Sequence, residues 1–331
     1  MYVIVADAMG GDFAPEAPVR GALRALDEFD DISITLVGRR EDIAGATKGA
    51  RHPRLAVIDA REVIGNDESP VIALRRKKDS SLSRAFDVLR EGQANALISA
   101  GSTGAVMAGS MFRLDRLPGV ARPAITVLVP TPSGKPVVML DAGANVDCAP
   151  ETLAQFAVMG AVYARAMLGT DKPRVGLINI GEEAEKGNQQ TKAAYQLLIQ
   201  PNPIYDFAGN VESRGVPMGG VDVAVCDGFT GNVIMKTMEG VSRSLFDMIK
   251  EALNGSARAK VGGALIKPAL KRLKAAVSAE EIGGALMLGA SSLVVKAHGN
   301  SKEYAFFAGL RQARSLLQAG VVEKIRTSLP N

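Results

Sequence analysis

Ala94-Asn95-Ala96-Leu97-Ile98-Ser99-Ala100-Gly101-Ser102-Thr103-Gly104 is the stretch on which the fold turns. Ala96 to Ala100 is a short apolar run bounded by turn residues, which suits a strand buried on both faces. Glycines then bracket Ser102 and Thr103, and Ala105 to Phe112 reads as a helix that starts where the glycines stop. A strand, a Gly-Ser-Thr-Gly loop and a helix N-terminus leave backbone N–H groups and two hydroxyls aimed at an anion. The same residues also suit an ordinary strand-to-helix turn with Ser or Thr as N-cap. The rest of the chain has to decide.

Working outward, Tyr2 to Ala6 reads as a strand ending in Asp7-Ala8-Met9-Gly10-Gly11-Asp12, followed by a helix from Val19 to Phe29. Ile32 to Val37 and Leu55 to Ile58 are strand-like, and the basic stretch Gly38 to Arg54 between them shows no clear period. A helix from about Val71 carries Arg75, Arg76, Lys77 and Lys78, and Ser83 to Arg90 is another. Ala124 to Val129 and Val137 to Leu140 flank a Pro-Gly turn cluster and predict a hairpin, a candidate subunit contact. A long helix then runs to Met167, Arg174 to Ile180 and Val221 to Cys226 are strands, and Gln190 to Ile199 and Val233 to Leu253 are helices. Gly262, Gly263 and Pro268 predict breaks that fold a basic segment, about 241–277, into a protruding helical hairpin. Tyr304 to Ala319 is a closing helix.

Strands alternating with helices imply an α/β fold of one domain over residues 1–331, with a largely parallel sheet and helices on both faces. Five strand-like runs, ending at Ala6, Ala100, Leu140, Ile180 and Cys226, open into small polar loops. In an open parallel sheet such loops gather at the carboxyl edge, where ligands bind.

Composition excludes several classes. The 331 residues are 47% hydrophobic and 22% charged, enough apolar content for a large core rather than a disordered chain. No apolar stretch reaches the length of a membrane span, and the first residues run straight into a strand, so neither a signal peptide nor a span is expected. Cys148 and Cys226 lie far apart, and His52 and His298 are the two histidines, which leaves no zinc spacing and fits a reducing cytosol. The net charge of +4 is unevenly spread, with no acid between Ala252 and Ala279 but Arg258, Lys260, Lys267, Lys271, Arg272 and Lys274 inside that window. Such a block suits an acidic partner or an anionic membrane. Without interleaved aromatic residues it does not suggest nucleic acid.

No G-x-G-x-x-G follows the first strand, and neither a P-loop nor a G-x-S-x-G elbow occurs. The loops offer hydroxyls, amides, carboxylates, Lys186 and His298. That inventory suits a reaction whose nucleophile is itself an anion: phosphate needs holding and aiming, and a carbonyl under attack needs donors for its oxyanion. Phosphorolysis of a thioester fits this chemistry without being selected by it. Asp7, Asp141 and Asp227 equally suit turn caps, Cys226 a buried apolar thiol, Lys186 a counter-charge to Glu182, Glu183 and Glu185, and His298 a core histidine.

Six segments in order carry a resemblance: VIVADAMGGD (Val3 to Asp12), SAGSTGA (Ser99 to Ala105), LDAGANVD (Leu140 to Asp147), NIGEE with KGN (Asn179 to Asn188), CDGFTGNV (Cys226 to Val233) and KAHGNS (Lys296 to Ser301). Together they resemble the bacterial phosphate acyltransferase family nearly end to end. The resemblance implies transfer of a long-chain acyl group from acyl carrier protein to inorganic phosphate, the acyl phosphate then serving a membrane glycerol-3-phosphate acyltransferase. It also implies a homodimer with an isocitrate/isopropylmalate-dehydrogenase-like fold akin to phosphotransacetylase, no metal or organic cofactor, and a cytoplasmic protein associating peripherally with membrane. On these motif positions, phosphate is expected on Ser102, Thr103 and Gly104, and catalytic roles are expected for Lys186, His298 and Asp227. Asp7, Gly10, Gly11, Asp141, Asn145 and Asn232 would line the site, with Lys267, Lys271, Arg272 and Lys274 as the carrier-protein or membrane patch. Departing from the family pattern, Ile282 to Gly289 lacks a proline expected near Leu286. An acyl-CoA-dependent transacylase, a dehydrogenase on a related fold and a non-enzymatic lipid or carrier scaffold are the competing readings.

Overall fold

A computed structural model describes residues 1–276 and 284–329, with backbone alone for 274–276. The first block holds β1 (Tyr2–Asp7), α1 (Glu16–Glu28), β2 (Ile32–Gly38), α2 (Arg40–Thr47), β3 (Leu55–Asp59), α3 (Pro70–Arg76), α4 (Ser81–Arg90) and β4 (Ala96–Ser99). Helix α5 (Thr103–Arg113) leads to β5 (Ala124–Val129) and β6 (Val137–Leu140). Then come α6 (Pro150–Leu168), β7 (Arg174–Asn179), α7 (Gln189–Leu198), β8 (Asp206–Glu212) and β9 (Val223–Val225). The chain continues through α8 (Gly228–Asn254), α9 (Ala257–Ala276), β10 (Ala285–Leu288), β11 (Leu293–Lys296), α10 (Glu303–Ala319) and α11 (Val321–Ser328).

All these strands form one sheet in the order β3-β2-β1-β4-β11-β10-β5-β6-β9-β7-β8. Most neighbours are parallel, but β10 is antiparallel to both β11 and β5, and β5 is antiparallel to β6. The sheet therefore consists of two parallel blocks of opposite direction: β1 to β4 with β11, and β6 to β9. This corrects the single carboxyl edge expected from the sequence. The loops after β1 and β4 lie at one edge, and those after β6, β7 and β9 at the other.

Helices cover both faces. Val19, Leu26, Phe156, Tyr163, Phe306 and Ile325 fill one layer, and Leu82, Phe86, Val106, Met139 and Val294 the other. The apolar strands are buried on both sides, which is why they read as continuous runs rather than alternations. Arg54 fastens one corner of the first layer, donating to the Leu26, Phe29 and Ile32 carbonyls at 2.6 Å each. The Leu26 and Phe29 carbonyls are acceptors that the end of α1 leaves without helical partners, and Ile32 begins β2.

Three local expectations differ from the structure. Helix α2 lies within the stretch that showed no period, because it buries only Ile43 and Ala46 and its remaining residues are polar or small. The hairpin strands β5 and β6 pair as expected but lie mid-sheet, with β10 and β9 as outer neighbours. The breaks expected at Gly262, Gly263 and Pro268 do not occur: α9 is continuous, with Pro268 inside it. The turn falls earlier, at Gly255 and Ser256, where the Ser256 hydroxyl accepts from Ala259 N–H at 3.1 Å and starts α9. Gly263 then packs against Leu253, so α9 returns along α8.

Much of this pair is uncovered. Val241, Leu245 and Met248 on α8 and Leu265, Ile266 and Leu273 on α9 are exposed, Leu265 to 78%. Lys267, Lys271 and Arg272 are exposed on α9, whereas the Lys274 side chain, residue 277, and Ile282 and Gly283 lie outside the described residues. Among the described residues no helix is long and apolar enough to cross a membrane.

Candidate functional site

The loops of the first block interlock closely. A Cβ on Gly10 would lie 2.6 Å from Gly101 N and 2.6 Å from an Asp7 oxygen, so only glycine lets the β1 and β4 loops meet there. Asp7 is buried at the end of β1 and accepts from the Ser99 hydroxyl at 2.7 Å and from Met9 N–H at 3.1 Å. Burial pushes its carboxyl up, and hydrogen bonds from Ser81, Ser99 and the loop amides offset part of that. Ser99 in turn accepts from Gly101 N–H at 3.0 Å, carrying the network into the Gly-Ser-Thr-Gly loop. A small cavity is bounded by Asp7, Gly10, Ile64, Leu82, Gly101 and Ser102.

Helix α5 opens at this cavity. Ser102 is its N-cap residue, yet its side chain makes no capping hydrogen bond. Neither the Ser102 nor the Thr103 hydroxyl has a partner among the described residues, and both remain accessible. Thus the first-turn amides and two hydroxyls stay free for a ligand, which an ordinary capped turn would not leave them.

A second cluster forms at the other edge, where the loops after β6 and β9 meet. Asp141 is its organiser: Oδ1 accepts from Ile125, Gly143 and Ala144 N–H, and Oδ2 from Asn145 N–H and Asn145 Nδ2. Burial raises this carboxyl, and the donors pull the other way. Asn145 is likewise engaged, donating to the Pro123 carbonyl at 2.8 Å and accepting from Gly228 N–H at 2.7 Å. A Cβ on Gly231 would fall 1.9 Å from the Asp141 carbonyl oxygen, so that glycine lets α8 start against the loop.

Asp227 caps α8, accepting from Thr230 N–H at 2.7 Å, and its second oxygen has no partner among the described residues. Asn232 is exposed beside Gly143, its amide unengaged. Burial, then Asp227 and Asp141, push the Cys226 thiol well up, so it behaves as a small apolar group. Cys148 is pushed up to about 12 by the same causes, desolvation first. Lys186 is exposed on the loop after β7, its carbonyl accepting from Asn179 Nδ2.

His298 belongs to the first edge, two residues beyond β11. It is half exposed rather than a core residue, and its Nε2 lies 3.7 Å from Glu239 Oε1 on α8. Helix α8 thus starts in the second cluster and passes the first about three turns later. Structure therefore groups Asp7, Gly10, Gly11, Ser102, Thr103, Gly104 and His298 on one side. It groups Asp141, Asn145, Asp227 and Asn232 on the other, with Lys186 at that same edge, and α8 joins the two. Lys186 and His298 are not brought together within the chain. Among the described residues, His, Cys, Asp and Glu side chains nowhere gather in the threes that would hold a metal ion.

One further charged side chain stands at this edge. Lys296 is the last residue of β11 and stands opposite Ser99 in the parallel register with β4. Burial pulls its ammonium down to about 8, against the opposing pull of Asp7 and Asp12 and with a small further lowering from Lys236. In the sequence it reads as an ordinary basic residue at a strand end. Only the register with Ser99 places it beside the Gly101–Gly104 loop.

Residues 2–324 match the family described as "Fatty acid synthesis protein". The phosphate acyltransferase of Clostridium botulinum (strain Loch Maree / Type A3) is 46% identical over 331 residues, covering 99% of this chain and 98% of that protein. The phosphate acyltransferase of Caldanaerobacter subterraneus subsp. tengcongensis is 46% identical over 323 residues, covering 98% and 96%. Among solved structures, a phosphotransacetylase from Streptococcus pyogenes shares the fold with a TM-score of 0.63 at 16% identity, covering 97% of this chain and 94% of that one. A branched-chain phosphotransacylase from Enterococcus faecalis V583 does so with a TM-score of 0.59 at 15% identity, covering 95% and 98%. By its match along nearly its whole length, the chain belongs to this fatty acid synthesis protein family, that of the phosphate acyltransferases.

Proposed function

We propose that the protein transfers a long-chain acyl group from acyl carrier protein to inorganic phosphate, forming acyl phosphate and free carrier thiol. The observation that carries this reading is the start of α5: unpartnered Ser102 and Thr103 hydroxyls and first-turn amides beside a cavity. A phosphate oxygen attacks the thioester carbonyl carbon, the C–S bond breaks, and the sulfur leaves with the electron pair. A thiolate of ordinary pKa, roughly 8.5, needs little more than one proton from solvent or a nearby acid. Ser102, Thr103 and the Gly104 amide hold the phosphate, and His298 and Lys186 offset charge on phosphate and thioester oxygen. Asp227 is the remaining catalytic candidate, with Asp7, Gly10, Gly11, Asp141, Asn145 and Asn232 around the substrates. For Lys186 to act, the loop after β7 must come within reach of bound substrate.

The basic segment of α9 that holds Lys267, Lys271, Arg272 and Lys274 is the docking patch for the acidic carrier or an anionic membrane surface. The exposed α8 and α9 side chains would be covered in a homodimer. A cytoplasmic protein that visits the membrane would deliver acyl phosphate to a glycerol-3-phosphate acyltransferase embedded there. The decisive assay measures thiol release from palmitoyl-ACP and from palmitoyl-CoA with and without phosphate. Phosphate-dependent release from palmitoyl-ACP, with acyl phosphate as product, is the expected outcome. Consumption of palmitoyl-CoA alone moves the reading to a coenzyme-dependent transacylase, and inactivity on both discards it.

A further inference from the structure

Lys296 is an amine with an unfilled coordination shell. It ends β11 directly beside Ser99, whose hydroxyl binds Asp7 and whose strand runs into the Gly101-Ser102-Thr103-Gly104 loop. The groups that face it are Asp7 from β1, Asp12 from the following loop and Lys236 from α8. Behind Lys236 stands Glu239, which pairs with Lys236 at 3.1 Å and with His298 at 3.7 Å. Yet no carboxylate among the described residues lies within ion-pair distance of Lys296: its one hydrogen bond goes to the adjacent Ala297 carbonyl. An ammonium has three N–H donors. Here it is half-buried at the sheet's edge and left with donors to spare.

A lysine withdrawn from water for the fold alone would be matched by a carboxylate at contact distance, because desolvating an ammonium is costly. We propose that Lys296 is the cationic ligand of the phosphate, completing a site whose other walls are the Ser102 and Thr103 hydroxyls and the amides at the start of α5. This rests on the acyl-transfer reading above and deepens it, since that reading gives the phosphate no buried cation. Phosphate would take up the spare N–H donors and supply the missing counter-charge.

The state of the amine sets a pH dependence. With its ammonium pulled down to about 8, the empty site loses its positive charge as pH rises through that value. Inorganic phosphate is already dianionic there, so the change belongs to the protein.

Three measurements test the assignment. In Lys296→Met, the KM for phosphate should rise about 10- to 100-fold, the loss expected for one charge-assisted contact, while the KM for acyl donor stays within about twofold. Lys296→Arg should recover part of that loss. In the parent enzyme the phosphate KM should climb about tenfold per pH unit above 8, and this slope should vanish in Lys296→Met. The third measurement does not use turnover: in the parent protein at pH 8, Lys296 should acylate faster with acetic anhydride than surface lysines, and inorganic phosphate should protect it. An unchanged phosphate KM in a folded Lys296→Met protein, or labelling indifferent to phosphate, would overturn the proposal. If the parent shows no phosphate-dependent transfer but phosphate still protects Lys296, the reaction is wrong and the anion site stands.

Discussion

His298 Nε2 and Glu239 Oε1 stand 3.7 Å apart, joining the loop after β11 to the middle of α8. Both side chains are partly exposed, so the pair adds little to stability, roughly 0–1 kcal/mol. If His298 acts on substrate as proposed, the contact's use is positional. Glu239→Ala should lower turnover about threefold to tenfold with little change in melting temperature. His298→Ala should cost roughly 100-fold or more, the scale of a general acid or oxyanion donor. Steady-state kinetics with parallel thermal melts checks both, and equal turnover in Glu239→Ala and parent would show the contact to be incidental.

The free hydroxyls at α5 give a cleaner test of phosphate binding. Because the Ser102 and Thr103 hydroxyls make no hydrogen bond among the described residues, Ser102→Ala and Thr103→Val should leave stability within about 0.5 kcal/mol of the parent. Each should raise the phosphate KM about tenfold, the worth of a hydrogen bond to a charged group. A drop in stability with unchanged KM would make the loop an ordinary cap.

Asp141 and Asp227 should part company. Asp141 is buried and takes five N–H contacts, so Asp141→Ala strands their donors and should cost roughly 3–5 kcal/mol, enough to compromise folding. Asp227→Ala loses one helix cap, about 1 kcal/mol, so any large loss of turnover in that folded variant reports on chemistry. Denaturant titrations separate the two.

Lys296 also makes a stability prediction. Between about pH 8 and its ordinary value near 10.5, the unfolded chain keeps a proton on Lys296 that the native state has released. The native state therefore gains stability across that window as pH rises, and below pH 8 it bears the cost of the buried ammonium. Lys296→Met should be more stable than the parent at pH 7, by roughly 3 kcal/mol at most, and the gap should close toward pH 10.5. Urea melts at three pH values measure it, and a variant less stable than the parent at pH 7 would contradict it.

For α9, charge reversal at Lys271 and Arg272 should weaken binding to acyl carrier protein or to anionic vesicles, more at low salt than at high. Sedimentation with vesicles of phosphatidylglycerol, run beside a carrier-protein binding titration, distinguishes the two. No effect on either would leave the segment a contact between copies.

The sequence was a good guide to local events and a poor one to long-range pairing. The β1 and β4 loops were legible because apolar runs ended in glycine-rich turns, and Asp227 was legible as a cap-forming residue ahead of an apolar helix. Opposite strand direction in the two halves was not, because it depends on β10 entering between β11 and β5, a pairing that no local pattern announces. Asp141 read like the other aspartates, and its five donors exist only once the loop closes. Lys296 was hidden for the same reason: its neighbours Asp7 and Ser99 are distant in the chain.

The position of β10 and β11 has a consequence for how the protein is made. They are the last strands in the chain, yet in the sheet they lie between β4 and β5. Until residues 285–296 have left the ribosome, the two halves can each form strands but share no backbone ladder, and the edges of β4 and β5 stand open. Such edges are templates for pairing with the wrong chain. Synthesis thus carries its greatest exposure to misassembly just before the final helices emerge, and one late hairpin closes it.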